Sequence, residues 1–345
     1  MSASDCPSYE PPPEFSGLGQ VLGSAITEDP ATGETTLKLG FSMSKIGGRS
    51  TVSAPGATVD SAVSDGTKLS LRGLLHYLWD QAELTRWHPG FAGKRSWATV
   101  RRHLLRAAGS IVARGSALRA RLYIPELFSV EQRDAISARR MSQWAYAVAA
   151  PGKPQQLMLM IAEVKEIVPA RYSYKAIVKH VPDQAFAIGE QLYRRLGRCF
   201  AAELALWSAT ECVHLVVIAT FGISAAGIPT IAELSLMPTT PQWLPVEDAF
   251  DQQLTDRLVG DARSFVKGLR YNLPRLHPMA QATLTDTEPA AYMLFVMSPG
   301  LSNEQSGQLL GEFVPPGKSA PWLWRPPSEV MPPLPARASA HSAQR

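Results

Sequence analysis

Apolar and polar residues follow two periods along this chain, and the changes of period mark its elements. Gln20 to Ser42 reads as a β-hairpin, Val21 to Thr27 and Thr35 to Ser42 flanking the turn Glu28-Asp29-Pro30-Ala31-Thr32-Gly33. Met43 to Lys68 is rich in Gly, Ser, Ala and Thr, shows neither period, and reads as a flexible loop. Behind the N-cap candidate Ser70, Leu71, Leu74, Leu75, Leu78 and Ala82 recur at helical spacing as far as Leu84. His88-Pro89-Gly90 breaks that pattern. Ser96 then caps a second helix, Trp97 to Ile111, with Val100, Leu104, Leu105 and Ala108 on its apolar side. Ser129-Val130-Glu131-Gln132 has the form of a capping box opening a short helix to Met141.

Strands dominate the next stretch. Gln143 to Ala149 and Gln156 to Glu166 flank Ala150-Pro151-Gly152-Lys153-Pro154, a hairpin signal, and Tyr172 to Val181 follows. A helix is expected from Ala187 to Ala209. Val213 to Thr220 is continuously apolar, as suits a strand covered on both faces. Thr230 to Met237 reads as a strand, Glu247 to Lys267 as a helix, and Thr283 to Thr285 and Tyr292 to Met297 as the last strands. From Ser298 the chain is rich in Pro, Gly and Ser; Pro315 to Arg345 is expected to be extended or disordered, with Trp322 and Trp324 placed to dock on the domain. The fold class is therefore α+β: an N-terminal β-hairpin, a basic helical region, then a mixed β-sheet covered by helices. The expected boundaries are 1–19 (disordered), 20–42 (hairpin), 43–68 (loop), 69–128 (basic helical region), 129–298 (mixed domain) and 299–345 (Pro-rich tail).

Composition narrows the class. The chain has 345 residues, 45% hydrophobic and 19% charged, with eight tryptophans, which excludes a wholly disordered protein. Its mean hydropathy is −0.06. Three cysteines (Cys6, Cys199, Cys212) are too few and too scattered for a disulfide scaffold or a zinc module, and Cys199 and Cys212 read as small buried hydrophobes. No apolar run reaches the roughly 18 residues of a membrane span, and the first residues are polar and proline-rich. The expectation is a soluble cytoplasmic protein with no membrane partner.

Charge changes the picture more. The net charge is only +4, yet Leu84 to Pro125 holds Arg86, Lys94, Arg95, Arg101, Arg102, Arg106, Arg114, Arg119 and Arg121 and no acid. Such polarity is the footprint of a phosphate-binding surface. Arg102 and Arg106, four apart, share one helix face, with Lys94 and Arg95 just before it and Arg101 beside it. The layout is a helix–loop–helix with a basic second helix, as in helix-turn-helix or winged-helix readers, and the implied partner is nucleic acid, DNA foremost. The alternatives are a solvated helix face or arginines paired with acids from elsewhere.

The sharpest catalytic pattern is Glu163-Val164-Lys165. An acid and a lysine two apart on a strand point to the same face, where the carboxylate could hold Mg²⁺ while the lysine stabilises charge in phosphodiester cleavage. This is half of a restriction-type nuclease pattern. The upstream acids on offer, Glu131 and Asp134, fall on an expected helix. Asp286 is a further candidate ligand, weighed against a turn role for Asp286 and Glu288; Lys267 and Arg270 suit an anion or a helix end. His180 and His214 border strands without a nucleophile at recognisable spacing. No P-loop, dinucleotide glycine motif or His-Glu-x-x-His occurs, so no cofactor is implied beyond Mg²⁺ in the nuclease reading.

Several stretches together resemble a bacterial family, domain of unknown function 1173. They are Cys6-Pro7-Ser8-Tyr9-Glu10-Pro11 with Ser16-Gly17-Leu18-Gly19, then Leu74-Leu75-His76-Tyr77-Leu78-Trp79 and Gly93-Lys94-Arg95-Ser96-Trp97. Next come Ala162-Glu163-Val164-Lys165-Glu166, Pro169-Ala170-Arg171-Tyr172 and Ile218-Ala219-Thr220-Phe221. The last are Phe265-Val266-Lys267-Gly268-Leu269-Arg270-Tyr271-Asn272 and Leu284-Thr285-Asp286-Thr287-Glu288-Pro289. The resemblance implies proteins of integrative and conjugative elements with no established activity. It also implies an N-terminal extension with two more cysteines, which this chain begins too late to contain. The functional expectation is a nucleic-acid-associated accessory protein of a mobile element without catalysis of its own. Its rivals are a metal-dependent nuclease using Glu163 and Lys165 with Asp286, and a protein–protein adaptor.

Overall fold

The computed structural model describes residues 10–45, 66–171, 173–288, 290–297 and 321–338. The expectations for Cys6, for loop residues 46–65 and for tail residues 298–320 and 339–345 lie outside the described residues. The fold is mixed α+β, built as an N-terminal lobe, a central barrel and a C-terminal sheet.

The hairpin forms, shorter than its apolar pattern: β1 (Ile26–Glu28) pairs antiparallel with β2 (Thr35–Leu37), while Leu18–Val21 is a helical turn. Helix α1 (Leu71–Gln81) starts where expected, because the Ser70 hydroxyl accepts the Gly73 N–H at 3.0 Å. Helix α2 (Trp97–Ala107) likewise starts on Ser96, which accepts from Thr99 N at 3.4 Å. Behind it, β3 (Ile111–Ala113) and β4 (Ser116–Ala117) make a hairpin whose turn residues Arg114 and Gly115 both take positive φ, 51° and 72°. β3 runs parallel to β2, so the sheet order is β1-β2-β3-β4. α1 is buried almost all round (Leu71, Leu74, Leu75, His76, Tyr77, Leu78, Trp79), whereas α2 buries only Trp97, Val100 and Leu104. α1 is a core element and α2 a lid with one wet face.

Gln143 to Ala149 is not a strand. Helix α3 (Arg133–Trp144) runs into a 3₁₀ turn, Ala145–Ala147, because the Trp144 indole packs edge-on against Tyr123, Phe186 and Phe221 at 5.2–5.5 Å and turns the chain inward. The capping box does not form either: the Ser129 hydroxyl donates to Glu131, and α3 begins at Arg133 with no side-chain cap.

Five strands then close on one another. β5 (Met158–Ala170) and β6 (Ser173–Val178) form a hairpin with a bulge that leaves Lys165 unpaired between Val164 and Glu166. β6 pairs antiparallel with β7 (Phe186–Ile188), which sequence periodicity missed. The expected single helix from Ala187 is two, α4 (Glu190–Cys199) and α5 (Ala201–Ala209), broken at Phe200. β8 (His214–Ile223) and β9 (Pro229–Thr239) form the last hairpin; β9 pairs parallel with β7, and β8 antiparallel with the first half of β5. The ring order is first–second–third–fifth–fourth–first, with helices between the third and fourth strands. That is the connectivity of an OB-type barrel. One core fills it, with Met158, Met160, Ala162 and Val164 of β5 meeting Val178, Phe186, Val217 and Leu234. The outer face of β5 and β8, Leu159, Ile161, Val216 and Ile218, belongs to the core shared with α1 and α2. This is why both strands read as unbroken apolar runs: each is covered twice.

Helix α6 (Ala249–Gly260) is capped by Asp248, whose carboxylate accepts from Phe250 and Asp251 N–H at 2.9 Å. It ends well before Lys267, as Ala262 takes a φ of 53° and the chain enters β10 (Phe265–Lys267). β11 (Ala282–Leu284) and β12 (Tyr292–Val296) follow, and β13 (Trp322–Trp324) docks parallel on β12, as its tryptophans suggested. The far edge of this sheet is Arg86–Trp87, from the α1–α2 connection, which ties the two lobes together. Among the described residues no helix is long and apolar enough to cross a membrane. Cys212 is exposed rather than buried, in the turn before β8 where Thr210 Oγ1 accepts its N–H at 3.2 Å.

Candidate functional site

The acid-free segment divides in the structure. Arg95 was expected among the phosphate contacts, but its guanidinium is turned into the protein. It donates to the carbonyls of Leu84 (2.9 Å), Arg86 and Gln242 (3.4 Å) and lies over the rings of Trp87 and Phe91, 5.4 Å from each centroid. Burial holds its pKa down to about 10. Arg101 is half-buried, with Nε donating to Ile124 O at 3.0 Å, and Arg114 donates to Phe41 O at 2.7 Å. Lys94, Arg102 and Arg106 are exposed, and no carboxylate pairs with them among the described residues. Arg102 and Arg106 project from the wet side of α2 while Val100 and Leu104 anchor the other side. Arg119, exposed, and Arg121, half-buried, follow on the helical turn Leu118–Arg121, where Arg119 Nη1 donates to Leu105 O in the last turn of α2.

Glu163 sits on the outer face of β5 with its side chain 4% exposed. Its carboxylate accepts from Lys179 Nζ at 2.5 Å and His214 Nδ1 at 2.6 Å. Burial alone would raise its pKa, but those two partners pull it below the ordinary value. The His214 ring lies flat on Trp243 at 4.1 Å, and Trp97 stacks on His180 at 6.1 Å, so the cluster joins α2 to the barrel. The bulge leaves Lys165 exposed, lining a shallow hollow with Lys179, Ser208 and Thr210. Asp286 lies elsewhere, in the turn after β11. It accepts from Arg263 Nε and Nη2 at 2.8 and 2.7 Å and from Ser264 N at 3.0 Å, while Arg263 also donates to Pro335 O. Glu163 and Asp286 thus belong to separate hydrogen-bonded sets, and among the described residues no side-chain hydrogen bond ties Lys165 to either. Among the described residues no group of three or more His, Cys, Asp or Glu is arranged to hold a metal ion.

The segment from Phe265 to Asn272, a bare motif in the sequence, forms a junction in the fold. Lys267 and Asp251 pair at 2.5 Å with side chains 1% and 4% exposed, and Lys267 also donates to Thr255 Oγ1 at 3.1 Å. Arg270 binds Glu247 through two hydrogen bonds of 2.7 and 2.6 Å and donates to Pro274 and His277 carbonyls at 2.6 Å. The Tyr271 N–H donates to His76 Nδ1 at 2.9 Å, and Asn272 Oδ1 accepts from Ser70 Oγ at 2.8 Å. Gly268 passes so close to Ala280 that an added Cβ would stand 1.8 Å from its carbonyl oxygen. Burial pushes Asp251 up to about 6 against the pull of Lys267, and drives His76 down to about 3. Burial would also raise Glu247, but Arg270 beside it brings it down to about 2. A cleft of about 350 Å³ opens on this junction, lined by Arg72, His76, Glu203, Glu247, Arg270 and Arg275. Its charges are matched within the protein, so it acts as a clasp between α1, α6 and the C-terminal sheet. Glu247 and Asp251 carry no sequence signal beyond a helix cap.

These observations define an α+β protein in which an OB-type barrel carries a basic helical lobe. The chain belongs to the family described as Protein of unknown function (DUF1173), whose model matches residues 1–327. No curated protein and no solved structure matches it.

Proposed function

We propose that this protein binds nucleic acid, specifically DNA, through the exposed face of α2 and the turn that follows it, as an accessory factor without chemistry of its own. The observation that carries this reading is the set Lys94, Arg102 and Arg106, exposed on a helix whose opposite side is locked into the core and facing no carboxylate among the described residues. Cations left unpaired in a 42-residue stretch without an acid suit a polyanion better than an internal partner. The barrel supports the reading by analogy, because OB-type barrels are a frequent scaffold for oligonucleotides. The setting implied by the family resemblance, a bacterial integrative or conjugative element and a cytoplasmic location, is part of the proposal.

The test is a salt titration of the full chain against labelled DNA, with Arg102→Glu/Arg106→Glu alongside and magnesium present or absent. The double variant should lose retention at low salt, and the slope of log affinity against log salt should shrink by about 2, one unit per lost phosphate contact. Unchanged affinity at low salt overturns the proposal. Cleaved DNA in the magnesium arm would overturn its non-catalytic half.

A further inference from the structure

We propose that the basic face continues into a track for single-stranded DNA that ends on Tyr146, whose ring stacks a base. The inference rests on the DNA-binding reading above and adds the form of DNA and the residue that selects it.

The track is read from contacts. Arg119 Nη1 donates to Leu105 O at 3.5 Å, which sets it beside the last turn of α2, next to Arg106. Two residues on, the Arg121 guanidinium lies over one face of the Tyr146 ring, 4.9 Å from its centroid, and donates to its hydroxyl, so the opposite face is the one offered to a base. Arg106, Arg119 and Arg121 therefore lead to an aromatic ring, with no carboxylate paired to any of them among the described residues.

The ring is presented rather than merely exposed. Tyr146 is 45% accessible although it lies between Trp144 and Ala147, which are buried at 1% and 0%. The 3₁₀ turn that buries those neighbours holds the tyrosine outward, and its hydroxyl donates to Gln156 Oε1 at 3.3 Å. Beside it Val148, 44% exposed, bridges Ile223 at the base of the loop that joins β8 to β9, and Ile228 in that loop is 50% exposed. This loop joins the fourth and fifth barrel strands, one of the places where OB-type barrels meet oligonucleotides.

The chemistry selects single strands. A duplex hides the faces of its bases and offers this surface only phosphates. An unpaired strand offers both phosphates for the guanidiniums and base faces for a ring, a combination that binds without sequence preference. The apolar neighbours Val148 and Ile228 have nothing to contact on the outside of a duplex and can pack on a splayed base.

The experiment measures fluorescence anisotropy of the full chain with an oligothymidylate, a duplex of equal length and the matching oligouridylate. Wild type is compared with Tyr146→Leu, Tyr146→Trp and Arg102→Glu/Arg106→Glu, each with a thermal melt as a check of folding. Tyr146→Leu should weaken oligothymidylate binding by about 5- to 150-fold, the loss of one stacked base, and leave duplex binding within about twofold. Tyr146→Trp should keep or tighten single-strand binding. The charge reversal should weaken both. Wild-type affinity of Tyr146→Leu for oligothymidylate, or an equal loss on the duplex, overturns the stacking site while leaving the DNA-binding reading intact if the charge reversal still abolishes binding. Failure of wild type to bind any DNA overturns both. Tighter binding of oligouridylate than of oligothymidylate overturns the assignment to DNA.

Discussion

The junction around Lys267 and the face around Arg102 use the same residue types and treat charge in opposite ways. At the junction Lys267 and Arg270 are taken out of water and matched at close range: Lys267 by Asp251, Arg270 by Glu247 and two carbonyls. On the α2 face Lys94, Arg102 and Arg106 stay in water without an acidic partner. Desolvation is the difference. A buried cation lacking a partner costs several kcal/mol, whereas an exposed one costs little and is free to attract an anion. Arg95 shows that sequence position does not decide the matter: it stands one residue from Lys94 and behaves like the junction.

The largest test of this contrast is at Lys267. Lys267→Met leaves the Asp251 carboxylate buried without its partner and should cost about 3–5 kcal/mol, read from the denaturant midpoint. Lys267→Met/Asp251→Leu should recover much of that loss. A double variant no better than the single would mean that the pair is not what the junction needs.

A pH titration of stability sharpens the same point. His76 accepts the Tyr271 N–H, and burial lowers its pKa from 6.5 to about 3. Between those values the unfolded chain holds the extra proton and the folded chain does not, so stability present above pH 6.5 is lost as the solution is acidified towards 3. The predicted loss is several kcal/mol. Asp251, raised from 3.8 to about 6, opposes it over that narrower window. His76→Gln should flatten the acid slope relative to wild type. Parallel slopes would show that His76 is not the group responsible.

Smaller effects separate the arginines of the basic segment. Arg95→Ala removes charge-assisted hydrogen bonds to backbone carbonyls and should cost about 2 kcal/mol, yet leave the salt slope of DNA binding unchanged. Were the slope to fall with the melting point, Arg95 would have to face phosphate after all. Arg102→Glu/Arg106→Glu should shift stability by no more than about 0.5 kcal/mol. A larger drop in a denaturant titration would mean that these side chains serve the fold.

How much could be read in advance follows from how local each feature is. Both N-caps were legible because Ser70 and Ser96 need only a backbone N–H three residues on. The apolar runs of β5 and β8 were legible because double coverage removes alternation. Gln143 to Ala149 misled because a strand-like alternation and a helix that turns inward at Trp144 share the same letters. β7 was missed because three residues carry no period. At the candidate site Glu163 stands out in the sequence, but its partners Lys179 and His214 come from two other chain segments. Tyr146 looked like part of a strand.

The sequence by itself determined the α+β class, the starts of α1 and α2, the acid-free basic segment and the family. These depend on composition and on spacing within a few residues, which the chain states directly. Tertiary structure alone decided that five strands close into a barrel, that Arg95 turns inward while Arg102 and Arg106 stay out, and that Arg270 meets Glu247. It also brought the Tyr271 amide to His76, 195 residues away. Which charge is desolvated, and beside what, depends on segments far apart in the chain.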